Sequence, residues 1–503
     1  MQNLPKLRGK KQKIYTMKTN PFLLTDYYKI GHVFQYPENT TLVYSNLTPR
    51  KSRNPEIEEM VFFGLQYFIK EYLITYFNEN FFQQPKEKVM KEYKRRIETS
   101  LGPLPMYSHI EKLHDLGYLP VEIKALPEGS LVPMRVPCIT IVNTLPEFYW
   151  LTNFLETILS ATTWQPSTSA TIAYQYRKLL NKYAKETGMP MEFIQWQGHD
   201  FSFRGMSSYE SAVLSGIGHL LSFTGTDTIP AIDALEYYYG ADAEKELIGG
   251  SVAATEHSVM CSGSKDGELE TFKRLITEIY PSGIVSIVSD TWDLWKVCTE
   301  YLSELKETVL ARNGKVVIRP DSGDPVKIIC GDPDGKTEAE RKGVIELLWD
   351  VFGGTITDKG YKLLDSHIGS IYGDSINLQR AEAICEGLKK KGFASQAVFG
   401  IGSYTYQYNT RDTFGLAMKA TYVEINGEGR EIFKNPVTDD GTKRSATGLL
   451  CVKKENGKYV LYDKVSSDEE KQSELKTVFK DGKLVREYKL SEIREQLAKS
   501  NGQ

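Results

Sequence analysis

The chain has 503 residues, enough for two or more domains or one large core with an elaborated partner. Its 62 Lys and Arg stand against 65 Asp and Glu, a net charge of −3, so no global basic field marks a nucleic-acid binder. No apolar run reaches the roughly 18 residues of a membrane span, and six scattered cysteines without a CxxC pair predict neither a zinc site nor a disulfide framework, which fits a reducing cytoplasm.

Residues 1–20 are basic (Lys6, Arg8, Lys10, Lys11, Lys13, Lys18) and lack the apolar core of a signal peptide. They predict a disordered extension, with Met17 an alternative start. From 21 to 146 the pattern is mixed. Strands are expected over 41–45, 121–125 and 138–142, and a helix over 56–73. Two helices follow, over 147–162 and 167–187.

The middle of the chain alternates short apolar strand candidates (192–196, 220–223, 283–288, 315–318, 368–372, 396–399) with helical patterns (229–239, 269–280, 294–310, 338–352, 378–391). Repeated strand–helix units imply parallel pairing with right-handed crossovers. Beyond these strands come His199-Asp200-Phe201 with Arg204, Thr226-Asp227, the His257 stretch, Ser289-Asp290, Arg319-Pro320-Asp321, Gly373-Asp374-Ser375 and Gly400-Ile401-Gly402-Ser403. Glycines and polar residues at strand C-terminal ends every ~30 residues are the layout of a (β/α) barrel with its site at that face. An open doubly wound sheet, with its site at a switch point, is the alternative. After 412 three turn dipeptides, Asn426-Gly427, Asn456-Gly457 and Asp481-Gly482, punctuate β-type runs and predict hairpins. These join the N-terminal strands, and a helix over 491–498 closes the chain. The expected division is a β-rich domain of 21–166 with 412–503 and a barrel of 167–411.

Ser251-Val252-Ala253-Ala254-Thr255-Glu256-His257-Ser258 sets one of seven histidines between an acid and a hydroxyl in a run of small residues. A histidine there suits holding a phosphate, shuttling a proton or acting as a nucleophile, or simply bonding backbone at a strand end. Gly331 to Thr337 is not a P-loop: three residues separate its glycines where four are needed, and Pro333 removes a backbone donor. Arg319 and Asp321, two apart on an extended chain, point to one side and suit an anion beside a hydroxyl. Barrel closure would gather Arg204, Arg319 and Arg411 with Asp227, Asp290, Asp321 and Asp374. Arginine forks suit phosphates, and carboxylates suit sugar hydroxyls or the water shell of magnesium, for which Asp290 and Asp321 are the candidates.

Taken together, His199 to Ser208, Gly225-Thr226-Asp227, Ala253 to Ser258, Ser286 to Asp290 and Ile318 to Gly323 resemble the nicotinamide phosphoribosyltransferase family. So do Leu24 to Lys29, Phe62 to Tyr67, Tyr149 to Asn153, Gly373-Asp374 and Thr410-Arg411-Asp412. The resemblance runs from about 22 to 493. It implies an irregular (β/α) barrel with a β-rich, antiparallel, sandwich-like second domain built from N- and C-terminal segments, as a homodimer with shared sites. It implies the reaction of nicotinamide with 5-phosphoribosyl 1-pyrophosphate, accompanied by Mg2+, in NAD salvage. The pyridine ring would stack between Phe201 and the partner subunit's Tyr28, with Asp227 taking the amide and Arg319 near its carbonyl; Ser286 also falls at this site. Asp321, Gly373, Asp374, Gly402, Ser403 and Arg411 would hold ribose and 5′-phosphate, with Arg50, Lys419 and Lys434 adding phosphate contacts across the interface. Arg204, His257 and Arg319 would face pyrophosphate, and His257 would accept a phosphoryl group from ATP. Catalytic roles thus fall on His257, Asp321 and Arg319. Ser403-Tyr404 departs from the family's glycine run. The alternatives are a nicotinate enzyme of the same superfamily and a non-catalytic pyridine-nucleotide-binding protein.

Overall fold

The computed structural model of the protein describes residues 19–438 and 445–500. The expected basic extension lies, through residue 18, outside the described residues. Asn20 already belongs to the packed body: it is buried, and its side-chain amide donates to the Val89 carbonyl at 3.0 Å.

One sheet is antiparallel and seven-stranded. Its order is Glu428–Glu431, Ala417–Ile425, Thr40–Thr48, Ile139–Asn143, Val121–Ala125, Lys476–Lys480 and Lys483–Leu484. Strands from the two ends of the chain therefore share one sheet. All three turn dipeptides form hairpins with both residues at positive φ: 54° and 77° at Asn426-Gly427, 50° and 83° at Asn456-Gly457, 49° and 78° at Asp481-Gly482. That pair of angles matches the right-handed twist of the flanking strands.

The second sheet is parallel. Its strands, in chain order, are β1 (Gly198–Asp200), β2 (Gly225–Thr226), β3 (Ala253–Ala254), β4 (Ser282–Val288), β5 (Asn313–Arg319), β6 (Ile368–Tyr372) and β7 (Val398–Ile401). Each pairs with the next from β3 to β7; β7 pairs with β1, and β1 with β2. The remaining gap is bridged by Gly225 and Gly250, with Thr226 N–H donating to the Gly250 carbonyl at 2.9 Å and Gly250 N–H to the Thr224 carbonyl at 2.8 Å. The ring is closed, so the structure is a seven-stranded (β/α) barrel rather than an open sheet.

Several local expectations fail. The Asn456-Gly457 hairpin does not join the N-terminal strands: Leu449–Glu455 and Lys458–Val465 form a two-stranded sheet of their own. Residues 192–196 and 220–223 are not strands. The first run is helical (Met191–Phe193, Ile194–Gln197), and the second is the turn after helix Tyr209–His219. A short apolar run buries equally well as a helix end. The true strands β1 and β2 carry glycine and polar residues because they line the site, and a Cβ on Gly198 would lie 2.8 Å from the Phe223 ring. The helix expected from 56 is preceded by a strand, Glu59–Val61, and starts only after Gly64, whose φ is +96°. The two helices expected around 162–167 are one helix, Glu156–Thr187, with Pro166 inside it. Pro166 packs against the Cα of Gly64 and its helix is buried on most sides, so tertiary packing outweighs the lost backbone donor.

Candidate active site

The C-terminal ends of the seven strands deliver Phe201, Asp227, His257, Asp290, Asp321, Asp374 and Ser403 to one mouth. At its inner wall, His199 and Phe201 sit two apart on extended backbone and share a side, their rings 4.8 Å apart. His199 Nε2 lies 2.9 Å from Asp227 Oδ1, and the Ser251 hydroxyl donates to the same oxygen at 2.6 Å. An ionised carboxylate only accepts, so the imidazole donates through Nε2. Burial pushes the Asp227 carboxyl up, but the His199 and Ser251 hydrogen bonds and the Arg319 charge outweigh it and hold it below the ordinary value.

One glycine gives the Phe201 ring its room and another the Asp321 carboxylate. A Cβ on Gly400 would lie 2.6 Å from Phe201 Cε2, and one on Gly373 would collide with the Asp321 carboxylate. Asp321 N–H and the Ser322 hydroxyl donate to Asp290 Oδ2 at 2.7 and 2.6 Å. Asp290 Oδ1 is buried and accepts no hydrogen bond; its nearest cation-forming group is His257 Nε2 at 3.9 Å. His257 opens a short helix, His257–Ser262, half exposed, with Nδ1 3.1 Å from the Thr291 hydroxyl. Arg319 donates through Nη2 to the Thr255 carbonyl at 2.6 Å, and its buried Nε has no partner. Burial raises the Asp321 carboxyl; Asp290 and Asp374 add to this while Arg319 and His257 oppose it. Ser286, on β4, has a buried hydroxyl without a partner.

Arg204 is exposed in the turn Phe203–Gly205, and the Ser403 side chain fills the notch left by Gly205. Gly402 immediately precedes helix Ser403–Tyr406. Arg411 is exposed, 3.3 Å from Asp412. Lys419 lies instead on the antiparallel sheet, strand Ala417–Ile425, with Arg50 and Lys434 just beyond the strand ends Thr48 and Glu431 and close enough for their charges to act on it. Burial lowers the Lys419 ammonium; Glu156 opposes this, and the charges of Arg50, Lys434 and Lys29 reinforce it. Tyr28 is 59% exposed, and its ring meets His32 and the Lys29 ammonium, not Phe201. Thus the single chain assembles the Phe201–Asp227–Asp321 wall and leaves Tyr28 and the Arg50 group outside it. His199 and Ser251 stand in the sequence only as members of longer stretches, with no role of their own; the structure shows that they orient Asp227. The two-residue offset of His199 from Phe201 is the available signal for the first, and nothing in the 251–258 stretch ties Ser251 to Asp227. Among the described residues no cluster of metal-ligating side chains stands ready by itself.

A closed (β/α) barrel beside a mixed-terminus antiparallel sheet, with an aromatic wall and an arginine–carboxylate mouth, defines the type II phosphoribosyltransferase class. A model of the nicotinate phosphoribosyltransferase family matches residues 196–483, and one of the nicotinamide phosphoribosyltransferase N-terminal domain matches 20–123. The nicotinamide phosphoribosyltransferase of Acinetobacter baylyi is 56% identical over 497 residues, covering 96% of this chain and 98% of its own. That of Mycoplasma pneumoniae is 37% identical over 447 residues, covering 85% and 94%. The crystal structure of nicotinate-nucleotide pyrophosphorylase from Pyrococcus furiosus superposes over 98% of both chains with a TM-score of 0.58 at 15% identity, a likeness of fold. The chain belongs to the nicotinamide phosphoribosyltransferase family.

Proposed function

We propose that the chain transfers the phosphoribosyl group of 5-phosphoribosyl 1-pyrophosphate to nicotinamide, forming nicotinamide mononucleotide and pyrophosphate in cytoplasmic NAD salvage. The names of its relatives support the reaction, and six free thiols suit a reducing compartment. The observation that carries the choice of base is the ionised Asp227 beside the Phe201 ring. With Oδ1 taken by His199 and Ser251, Oδ2 is left to accept an amide N–H, and the negative charge repels the carboxylate of nicotinate. The buried, unpartnered Ser286 hydroxyl and Arg319 suit the amide carbonyl.

The pyridine nitrogen attacks C1 of the ribose as the bond from C1 to the pyrophosphate oxygen breaks. No proton is exchanged, and the departing charge is pyrophosphate's. Arg204, Arg319 and His257 meet that charge where it develops. Asp321 and Asp374 hold the ribose hydroxyls, while Gly373, Gly402, Ser403 and Arg411 receive the 5′-phosphate. Mg2+ enters with the pyrophosphate as part of the substrate; the orphaned Asp290 Oδ1 and Asp321 are oxygen donors of the hard kind it prefers, reached through its water shell. A homodimer completes the site: the partner subunit's Tyr28 covers the open face of the ring and its Arg50, Lys419 and Lys434 supply phosphate contacts, which accounts for their position away from Phe201 here. His257, half exposed and backed by Asp290, receives the γ-phosphoryl group of ATP on Nε2, with ADP leaving and the ring proton passing to solvent. Phosphohistidine then strengthens capture of Mg2+-bound phosphoribosyl pyrophosphate.

The test is product formation from nicotinamide or nicotinate, each with and without ATP, in wild type and Asp227→Asn. The expected outcome is nicotinamide turnover raised by ATP, little nicotinate turnover, and a relaxed preference in the variant. Preference for nicotinate in the wild type overturns the choice of base.

A further inference from the structure

The opposite, N-terminal end of the barrel holds a recess of about 220 Å³ between the start of the strands, the long helix Glu156–Thr187 and the C-terminal helix Leu490–Ser500. Two arginines line it: Arg177 from the long helix and Arg494 from the C-terminal one. Both are half-buried, and neither forms an ion pair with a described residue. Arg177 donates through Nε to Asn181 Oδ1 at 3.2 Å and through Nη1 to the Ser222 carbonyl at 2.7 Å, so three of its five N–H groups are unspent. Arg494 donates only to carbonyls: Leu220 twice, at 2.9 and 2.7 Å, Leu247 at 3.0 Å and Ile248 at 2.5 Å. Burial lowers its ionisation to about 10, against the charge of Glu246, which lies beyond ion-pair distance. The Ser222 hydroxyl on the same wall is buried with no partner.

Buried cations are ordinarily paired, because an unpaired one costs several kcal/mol of lost hydration. Here two guanidinium groups line one recess among backbone carbonyls, with no carboxylate of a described residue within ion-pair distance of either. We propose that this recess is a second anion site, taking a phosphate- or carboxylate-sized anion on the three unspent N–H groups of Arg177 and the one left on Arg494. Its apolar walls, Phe223 and Leu247, keep the bound charge partly dry, which strengthens both arginine contacts. The site touches the chain on both sides of the catalytic carboxylate. Ser222 leads through β2 to Asp227, and Leu247-Ile248 leads through Gly250 to Ser251, the Asp227 donor. Occupancy therefore firms the two segments that hold the nicotinamide acceptor.

The experiment uses the full chain with saturating nicotinamide mononucleotide, so that the phosphate subsite of the catalytic mouth is filled. Inorganic phosphate is titrated against the melting temperature of wild type, Arg177→Gln and Arg177→Lys, with chloride at matched ionic strength as the control. The expected result is a saturable rise for wild type, an apparent affinity about 10-fold weaker or worse for Arg177→Gln (one lost charge-assisted contact), and partial recovery in Arg177→Lys. Crystals soaked in selenate then show selenium scattering between Arg177 and Arg494. A wild type that gains nothing beyond chloride, an Arg177→Gln curve that matches wild type, or selenate confined to the catalytic mouth overturns the site and leaves the two arginines as clamps on backbone carbonyls. Arg177 lies outside the catalytic mouth, so the difference between Arg177→Gln and wild type reports the recess whichever base the mouth takes.

Discussion

Truncating His199 to alanine separates a residue that touches substrate from one that orients it. His199 supplies one of two hydrogen bonds to Asp227 Oδ1, at 2.9 Å, and Ser251 supplies the other at 2.6 Å. A hydrogen bond to a charged group contributes roughly 1.5–3 kcal/mol, and the surviving Ser251 bond puts the loss toward the lower end. That predicts a KM for nicotinamide raised about 10- to 30-fold, with kcat much less affected, because no reacting atom is touched. A pH effect accompanies it. Burial already pushes the Asp227 carboxyl up and is outweighed largely by His199. Without the imidazole the carboxyl rises, so acid protonates it and removes the charge that excludes nicotinate. The ratio of kcat/KM for nicotinate over nicotinamide should then climb in His199→Ala as pH falls, and do so at a higher pH than in wild type. His199→Gln, which places an amide donor near the lost Nε2, should recover part of the KM. An unchanged KM at unchanged melting temperature, or a ratio insensitive to pH, would refute the orienting role.

Gly400→Ala should lower kcat/KM at least about 10-fold with the fold intact, since its methyl displaces the Phe201 ring from 2.6 Å away; steady-state kinetics with a circular-dichroism melt checks both halves. Glu128 accepts from Gly64 N–H, Gln66 N–H and the Tyr239 hydroxyl, and burial pushes its carboxyl up to about 7 from 4.5. The folded state therefore holds that proton more tightly than the unfolded one, so stability falls as pH rises from about 4.5 to 7, by on the order of 3 kcal/mol from this group. Glu268, raised to about 7 by burial and Asp293, titrates in the same window, so Glu128→Gln should shrink the slope of melting temperature against pH without abolishing it. If the sites are shared between subunits, mixing inactive Tyr28→Ala and Phe201→Ala chains should restore about a quarter of wild-type activity, because half the dimers are mixed and each has one intact site; no recovery after subunit exchange rejects sharing.

What was legible in the sequence follows what each signal depends on. The three hairpins were readable because Asn-Gly and Asp-Gly tolerate two consecutive positive φ values, a property of the residues alone. β4, β5 and β6 were readable because Gly283–Val288, Val316-Val317-Ile318 and Ile368–Tyr372 are β-rich runs long enough to show. β1, β2 and β3 are two or three residues long; the first two carry Gly, His, Asp and Thr, and the third is Ala253-Ala254. Their neighbours, not their composition, make them strands; apolar runs a few residues upstream take the assignment of β1 and β2, and β3 gives no signal of its own. The single helix Glu156–Thr187 is hidden for the converse reason: a proline inside a helix costs a backbone donor, and at Pro166 packing on Gly64 outweighs that cost.

The site divides the same way. Asp227, Asp290 and Asp321 were legible because they follow strands, and any barrel brings strand ends together. His199 and Ser251 act on Asp227 from residues 28 and 24 positions away, and only closure of the ring makes them neighbours. Closure itself hangs on the Gly225–Gly250 bridge. The same two segments reach from the arginine recess at one end of the barrel to the acceptor at the other, with Ser222 and Asp227 at most about 16 Å of extended chain apart. Strands this short have few hydrogen bonds with which to fix themselves. Their positions are set by what grips their ends: Arg494 and Arg177 below, His199 and Ser251 above. Asp227 is thus held by residues on both sides of the barrel floor, and a change at either grip should be felt at the other.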